Sequence, residues 1–249
     1  MATSFGALCT DFYVNQKLAL KLDLPAERET VLHYFDRMRK AMPSLSRFRR
    51  FEGELALESS RRDPEYRWMA LRRTSLRAGH VNPISMAEAQ QFHRNILELS
   101  PHYLSVSPLD VDYQEILFGF DLECQDNHDE VIFEALFADT PMAEAVKLPG
   151  ARYLDVQPVF GMSLSPGGDL QAYFEVKTQA KTRRGHPRQG EGEPISLFLS
   201  LRKFGPVERV EDLPVVFDQL TEHAETLATE RLVPHLLTPI AKHITSGSA

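Results

Sequence analysis

Nine arginines lie between residues 47 and 77, and they are the clearest chemical feature of this sequence. A guanidinium group is a rigid fork of N–H donors that fits a carboxylate or a phosphate, and it tolerates partial burial better than the ammonium group of lysine. Such a cluster favours binding of an acidic protein surface or a small anionic ligand. The alternative is a set of cross-strand ion pairs on a solvated sheet, each contributing less than about 1 kcal/mol. The nine are Arg47, Arg49, Arg50, Arg61, Arg62, Arg67, Arg72, Arg73 and Arg77.

Charge is unevenly distributed along the 249 residues, whose net charge is −7. Residues 1–107 hold 16 Lys and Arg against 12 Asp and Glu, a net +4, whereas residues 108–249 hold 12 against 23, a net −11. This asymmetry allows one half to dock on the other, or on a second copy of the chain. Nucleic acid is a poor candidate partner, because domains that bind it are normally basic overall.

Motifs that would identify an enzyme or a metal site are absent from the sequence. There is no glycine-rich phosphate loop or dinucleotide fingerprint, no Gly-x-Ser-x-Gly elbow and no His-Glu-x-x-His helix. Cys9 and Cys124 are too few for a disulfide scaffold or a structural zinc site. We therefore expect no metal ion and no cofactor, and a haem-binding use of the fold is the least favoured. Whether the chain is an enzyme stays open, and the missing motifs favour a non-catalytic role.

The composition is 43% hydrophobic and 25% charged, which is typical of a globular protein and excludes disordered, collagen-like and coiled-coil chains. No run approaches the roughly 18 consecutive apolar residues of a membrane-spanning helix. Residues 1–10 carry no basic residue before an apolar run, unlike a signal peptide. Together with the two cysteines, these features predict a cytoplasmic protein with free thiols.

Alternating apolar and polar residues predict the strands. Leucines alternate with Lys17, Lys21 and Asp23 in a first half-buried strand, and a helix follows Pro25. A second helix is predicted from the capping box at residues 85–88, and a long C-terminal helix, kinked or broken at Pro234 and Pro239, from about Leu213. The remaining predicted strands are Leu45 to Glu58, Tyr66 to Ala78, Asp112 to Cys124, Arg152 to Leu164, Leu170 to Thr182 and Ile195 to Lys203.

The order of these elements predicts an α+β fold of two ferredoxin-like (β-α-β-β-α) halves, with antiparallel sheets and helices on one face. The first half, residues 1–107, contains the Arg-rich hairpin. The second, residues 108–249, has an extra strand and the long C-terminal helix, and we expect the two to form one compact unit. Residues 16–24 match residues 114–122 at an offset of 98, but amphipathic strands resemble one another, so the internal repeat stays open.

If the helices cover the leucine side of the sheet, polar side chains share the other side. We expect a mixed-charge surface there with one large aromatic residue. Its candidate binding residues are Lys17, Lys21, Arg50, Glu54, Trp68 and Arg72 from the first half, and Glu175 and Lys177 from the second.

Two functions are compatible with this surface. The first is a non-catalytic binding or assembly protein that uses the Arg-rich sheet face and the loop from Arg183 to Arg188 to hold an acidic partner or a second copy. The second is a small-ligand carrier or an enzyme whose pocket lies between the two sheets. In that pocket, enclosure of Glu175 beside Lys177 would shift their pKa values, as acid–base sites require.

Overall fold

The computed structural model of the chain describes residues 4–62, 64–178 and 194–247. The loop from Arg183 to Arg188 therefore lies outside the described residues. The strands are β1 (Asp11–Leu20), β2 (Arg47–Phe51), β3 (Glu54–Glu58), β4 (Tyr66–Arg72), β5 (Ser75–Val81), β6 (Val111–Leu122), β7 (Val159–Ser163), β8 (Leu170–Lys177) and β9 (Ile195–Phe204). The helices are α1 (Arg28–Ala41), α2 (Met86–Leu104), α3 (His128–Leu136), α4 (Pro141–Val146), α5 (Leu213–Leu227) and α6 (Thr238–Gly247), with a π-helical segment (Ala228–Leu237) joining the last two.

The fold is mixed α+β, built on a large antiparallel sheet. Its nine strands lie in the order β2-β3-β4-β5-β1-β6-β9-β8-β7. The two halves of the chain meet at the centre, where β1 pairs with β6 from Asp11 opposite Asp121 to Ala19 opposite Tyr113. Because this ladder joins the halves edge to edge, the described strands form one sheet. The prediction of a pocket between two facing sheets is therefore wrong for the described part of the chain.

Each of the two long strands predicted in the Arg-rich region is a pair of shorter ones. The first reverses at Glu52 and Gly53, so that Phe51 lies opposite Glu54, and the second reverses at Arg73 and Thr74. Gly53 has a φ of +68°, a backbone conformation that glycine adopts without the steric cost of a Cβ atom. The Arg-rich hairpin is therefore a four-stranded meander, and the two-residue turn at Gly53 changes which residues share a face.

The helices pack against one face of the sheet, as predicted. Helix α2 contacts β5, and α5 contacts both β6 and β9. The sheet residues beneath them are fully or almost fully buried, and burial of each such side chain contributes about 1.5–3 kcal/mol. They include Phe12, Val14 and Leu18 of β1, Ile116, Phe118 and Phe120 of β6, and Leu197, Leu199 and Leu201 of β9.

The C-terminal helical segment runs without a break from Leu213 to Gly247. Pro234 lacks a backbone N–H and its ring would clash with a carbonyl in regular α-helix, so the sequence predicts a kink or break. The backbone instead widens into the π-helical segment around Pro234 before α6 begins. The predicted long helix is confirmed, and the proline is accommodated by a change of helical hydrogen bonding.

His93 of α2 is a buried histidine in the middle of this core. It lies between the rings of Phe92 and Phe217, and its Nε2 donates to the carbonyl oxygen of Val14 at 3.2 Å. Burial, with a smaller contribution from His80, lowers the pKa of His93 to about 3. Burial also lowers the pKa of His80 to about 4. Both side chains are therefore neutral in the folded protein at pH 5, whereas in the unfolded chain they take up protons below about pH 6.5.

We predict that replacing His93 reduces the sensitivity of the fold to mild acid. A histidine with a depressed folded pKa stabilises the protein fully above pH 6.5 and loses that contribution as the pH falls. Between pH 7 and pH 5 the loss is about 2 kcal/mol for one such group. Urea unfolding at the two pH values should show that His93→Gln loses about 2 kcal/mol less than the parent chain. His235→Gln, at an exposed position, is the matched control. Equal losses in all three proteins would contradict the assignment.

Candidate binding surface

The second face of the sheet, opposite the helices, carries alternate residues of every strand. The pairing registers place in it Tyr13, Asn15 and Lys17 of β1, Trp68, Ala70 and Arg72 of β4, Arg77 and Gly79 of β5, Tyr113, Glu115, Leu117 and Gly119 of β6, Tyr173, Glu175 and Lys177 of β8, and Phe198, Ser200 and Arg202 of β9. Five of the eight predicted binding residues, among them Lys17, Trp68 and Glu175, therefore share this face. A sixth, Glu54, lies opposite Arg72 on the same side.

Aromatic rings lie flat on this face against glycines of the neighbouring strands. Trp68 covers Gly79, Tyr13 covers Gly119, and a Cβ added to Gly161 would stand only 2.7 Å from the ring of Tyr173. Trp68 and Tyr13 are each only 4% exposed. The single aromatic residue expected from the sequence is thus one of several, and two of these rings are part of the packed sheet.

Central charged groups of the second face have partners on the same face. The Lys17 ammonium donates to the Tyr113 hydroxyl, and Arg202 forms an ion pair with Glu115. The guanidinium of Arg202 also lies 5.0 Å from the ring centroid of Tyr173, within range of a cation–π interaction. These contacts match the alternative in which charges on the sheet stabilise their neighbours across the strands.

Arg72 forms an ion pair with a buried carboxylate. Its Nε lies 2.7 Å from Oε2 of Glu54, whose side chain is 5% exposed. Removal of Arg72 would leave the Glu54 carboxylate without this cation in a largely desolvated position. Arg72 therefore has a partner within the chain, the carboxylate of Glu54.

Glu175 and Lys177 form a second ion pair on this face, with 2.8 Å between Oε1 and Nζ. The Lys177 ammonium also lies 5.8 Å from the ring centroid of Phe198, a residue of the same face. The two residues are adjacent, as the sequence predicts. They lie on a single sheet face near its β7 end, and not in a cleft between sheets.

Lys21 does not belong to the second face. The register between β1 and β6 shifts between Ala19 and Leu20, and β1 ends at Leu20. Lys21 lies beyond this end and its Nζ donates to the carbonyl oxygen of Leu109 at 3.2 Å. The prediction for Lys21 assumed that the alternation continues to Leu24, and it is wrong because the strand is shorter.

Arg50 lies on the helix side of the sheet and not with Arg72. It is opposite Leu55 of β3, a residue that packs against the main core, whereas Arg72 is opposite Glu54 on the second face. The turn at Glu52 and Gly53 reverses the chain with a two-residue loop, so alternate positions exchange faces between β2 and β3. The prediction of one face holding both arginines is therefore wrong.

The arginine edge, defined as β2 (Arg47–Phe51), is the outermost strand at one end of the sheet, and all five of its residues are exposed. Arg47 and Arg49 lie on the second face, and Arg50 lies on the helix side. The closest carboxylate oxygen to Arg49 is Oε2 of Glu58 at 4.0 Å, the limit of an ion pair. Within the described residues, no ion pair is found for Arg47 or Arg50.

The direction of the peptide groups of the arginine edge follows from the neighbouring ladder. The backbone N–H of Ser59 donates to the carbonyl of Arg67 at 2.8 Å, so the odd-numbered residues of β3 bond to β4. Its even-numbered residues must then bond to β2, through Arg47, Arg49 and Phe51. The peptide groups of Phe48 and Arg50 therefore point away from the sheet, where no described strand pairs with them.

A groove of about 820 Å³ runs beside the arginine edge, between the start of α1 and the β2–β3 hairpin. Phe48, Phe51 and Leu32 are exposed apolar residues of its lining, at 47%, 44% and 43%. Two arginines, Arg28 and Arg50, and two glutamates, Glu52 and Glu54, also line the groove. Phe48 is held in place by Phe35 of α1, whose ring centroid lies 5.2 Å away. This groove was not predicted from the sequence, although Glu52-Gly53 between two alternating runs is a hairpin signal that could have revealed it.

Comparisons with known proteins do not identify a family. No family model matches the chain, and neither does any curated protein. The chain is similar to a solved structure described as the di-domain ARO/CYC BexL from the BE-7585A biosynthetic pathway, with 9% sequence identity over 80% of this chain and 78% of that chain. The TM-score of 0.19 is too low for this similarity to support any argument.

Two further features bear on the site within the described residues. No three His, Cys, Asp or Glu side chains there lie close enough to hold a metal ion together. Across the same part of the chain, no helix has the length and apolar character needed to cross a membrane.

We predict that a methyl group at position 119 destabilises the sheet. The added Cβ of Gly119→Ala would overlap the ring of Tyr13, whose hydroxyl bonds to Asp121 at 3.3 Å, so the ring must move. Overpacking of this kind costs about 1–3 kcal/mol. Denaturant unfolding should measure this loss, while Gly167→Ala, whose new Cβ would meet only Asp169 at 3.6 Å, should stay within about 0.5 kcal/mol of the parent. An unchanged stability of Gly119→Ala would show that Tyr13 does not lie over this glycine.

Proposed function

We propose that this chain is a non-catalytic binding protein that holds an extended acidic segment of a protein partner along the arginine edge. The observation that carries the proposal is an exposed edge strand with three arginines, two of which have no ion pair among the described residues. An extended peptide can add to such an edge as a further strand, with affinity from main-chain hydrogen bonds and specificity from the side chains.

The arginines on both sides of β2 determine which segment fits. Successive residues of a bound strand project to opposite faces of the sheet. Glutamate or aspartate on the second face would meet Arg47 and Arg49, and on the helix side it would meet Arg50 and Arg28. An apolar residue on the helix side would fill the groove beside Phe48. A segment that mixes acidic and apolar residues is therefore the best complement.

The charge of β2 also restricts which strands can pair with this edge. Natural proteins protect edge strands from unwanted pairing with charged side chains. Arginines at these positions repel basic or identical strands and admit an acidic one. The acidic second half of another copy, with its net charge of −11, is one source of such a segment, and an acidic segment of another protein is the other.

We further propose that residues 1–107 and 108–249 are two related ferredoxin-like halves. In support, β1 and β4 run parallel with β5 between them, and β6 and β8 run parallel with β9 between them. This order is similar to the split arrangement of the ferredoxin-like unit if the β2–β3 hairpin is an addition in the first half and β7 is an addition in the second. A cytoplasmic location also stays a proposal, supported by the two unpaired cysteines Cys9 and Cys124.

We predict that Arg50→Glu weakens binding of an acidic extended peptide. A peptide of alternating glutamate and valine, labelled with a fluorophore, is a suitable probe for fluorescence anisotropy. Loss of one attractive charge and gain of a repulsive one should raise its Kd about tenfold at low salt, with a smaller effect at high salt. Because Arg50 is exposed and lies opposite Leu55, we expect the variant to fold like the parent.

Two controls separate this proposal from unspecific charge attraction. Arg231→Glu makes the same change of net charge at an exposed position of the π-helical segment and should leave the Kd unchanged. The same peptide N-methylated at alternate residues keeps its charges but cannot pair as a strand, and it should bind at least about tenfold more weakly. Equal loss in Arg50→Glu and Arg231→Glu, or equal binding of the methylated peptide, would contradict the proposal.

A further inference from the structure

We infer that β7, at the other end of the sheet, is the interface of a symmetric dimer in which β7 of a second copy pairs with it antiparallel. This inference does not depend on the function proposed for the arginine edge. It rests on three features of β7: the direction of its peptide groups, the absence of charge and its self-complementary side chains.

The unpaired peptide groups of β7 can be assigned from its ladder with β8. The backbone N–H of Leu164 donates to the carbonyl of Leu170 at 2.8 Å, and the N–H of Val176 donates to the carbonyl of Pro158 at 3.0 Å. The even-numbered residues of this ladder therefore bond to β8. It follows that the peptide groups of Val159, Gly161 and Ser163 point outward, and no described strand pairs with them.

This pattern allows one register that uses all three residues in a two-fold pairing. Opposed residues in an antiparallel pair can exchange hydrogen bonds only if the peptide groups of both point toward the partner strand. A two-fold axis at Gly161 places Gly161 opposite its own copy and Val159 opposite the partner's Ser163. About six backbone hydrogen bonds result. A shift by one residue would place each outward-pointing peptide group opposite an inward-pointing one of the partner. All of these backbone hydrogen bonds would then be lost.

The side chains of β7 are complementary in the same register. On the helix side, Phe160 lies opposite the partner's Met162, and the two-fold axis repeats this contact. Both side chains are large and exposed, Phe160 at 56% and Met162 at 44%, and a thioether packs favourably against an aromatic ring. On the second face, the two Gly161 residues meet without side chains, and Val159 covers the partner's Ser163.

The two edges of the sheet differ in the devices that prevent pairing. An edge strand is normally protected by charge, by proline or by a bulge. The five residues Val159–Ser163 include no charged residue and no proline, since Pro158 precedes the strand. The arginine edge could not form the same dimer, because a two-fold axis within β2 at Arg49 would place Arg49 against its own copy. The charge pattern therefore favours β7 over β2 for pairing of a strand with its own copy.

Pairing of β7 with β7 of a second copy gives a closed assembly. Pairing of β7 with the same strand closes after two subunits, whereas head-to-tail pairing of β7 with β2 would leave a free edge at each end and add further subunits. The closed dimer joins two nine-stranded sheets and leaves an arginine edge at each outer end. Since two five-residue strands form a small interface, we expect a Kd of about micromolar order.

A pair of double variants tests both the interface and its register. In the proposed dimer, position 160 lies opposite position 162 of the partner. Phe160→Glu combined with Met162→Glu places like charges opposite each other twice and should abolish the dimer. Phe160→Lys combined with Met162→Glu removes the same apolar side chains but places opposite charges together. This second variant should recover dimerisation, in a form weakened by salt.

Sedimentation equilibrium over a wide range of protein concentration measures the outcome, and circular dichroism verifies that each variant is folded. The parent chain should dimerise with little dependence on salt, the Glu/Glu variant should be monomeric, and the Lys/Glu variant should dimerise at low salt. A parent chain that stays monomeric up to about 1 mM would overturn the inference. So would a Glu/Glu variant that still dimerises, two variants that behave alike, or a parent that grows into polymers instead of stopping at two subunits.

Discussion

The peptide groups of a β-strand point alternately to its two sides, so an open sheet leaves a row of unpaired donors and acceptors along each of its two edge strands. In this fold β2 and β7 are the strands at the ends of the sheet. Every other strand has a neighbour on both sides. The surfaces available for strand addition are thus set by the topology, and the side chains of β2 and β7 decide what each edge accepts.

The arginines divide into two groups once the strand faces are known. Arg67 and Arg72, on the inner strand β4, form ion pairs with Glu65 and Glu54. These ion pairs link neighbouring residues of the sheet. Arg47 and Arg50 lie on the outermost strand, where a partner can reach them. A cluster that is uniform in sequence therefore has two roles, separated by distance from the sheet edge.

Local sequence patterns predicted the helices better than the arrangement of the strands. The serine N-cap predicted at the start of α2 is confirmed by the hydrogen bond from the backbone N–H of Glu88 to the hydroxyl of Ser85, and α5 starts at Leu213 as predicted. Both signals depend on residues within one helical turn. Helix α1 is likewise marked by its own periodic residues, from Val31 to Met38, before Pro43.

The faces of the strands were harder to predict, because they depend on where the chain reverses. The missed turn at Gly53 reversed the assignment for Arg50, and the early end of β1 removed Lys21 from the face. The single sheet depends on pairing between β1 and β6, about a hundred residues apart in the chain. Alternation within a strand indicates which residues share its apolar side. It does not indicate which other strand lies beside it in the sheet.

The most direct test of the arginine edge is amide hydrogen exchange of β2, residue by residue, with and without the alternating glutamate–valine peptide. In the free protein, the amides of Arg47, Arg49 and Phe51 bond to β3 and should exchange slowly, whereas those of Phe48 and Arg50 point outward and should exchange fast. Addition of the peptide should slow exchange at Phe48 and Arg50. Slow exchange of Phe48 and Arg50 in the free protein, or fast exchange that the bound peptide leaves unchanged, would contradict the account.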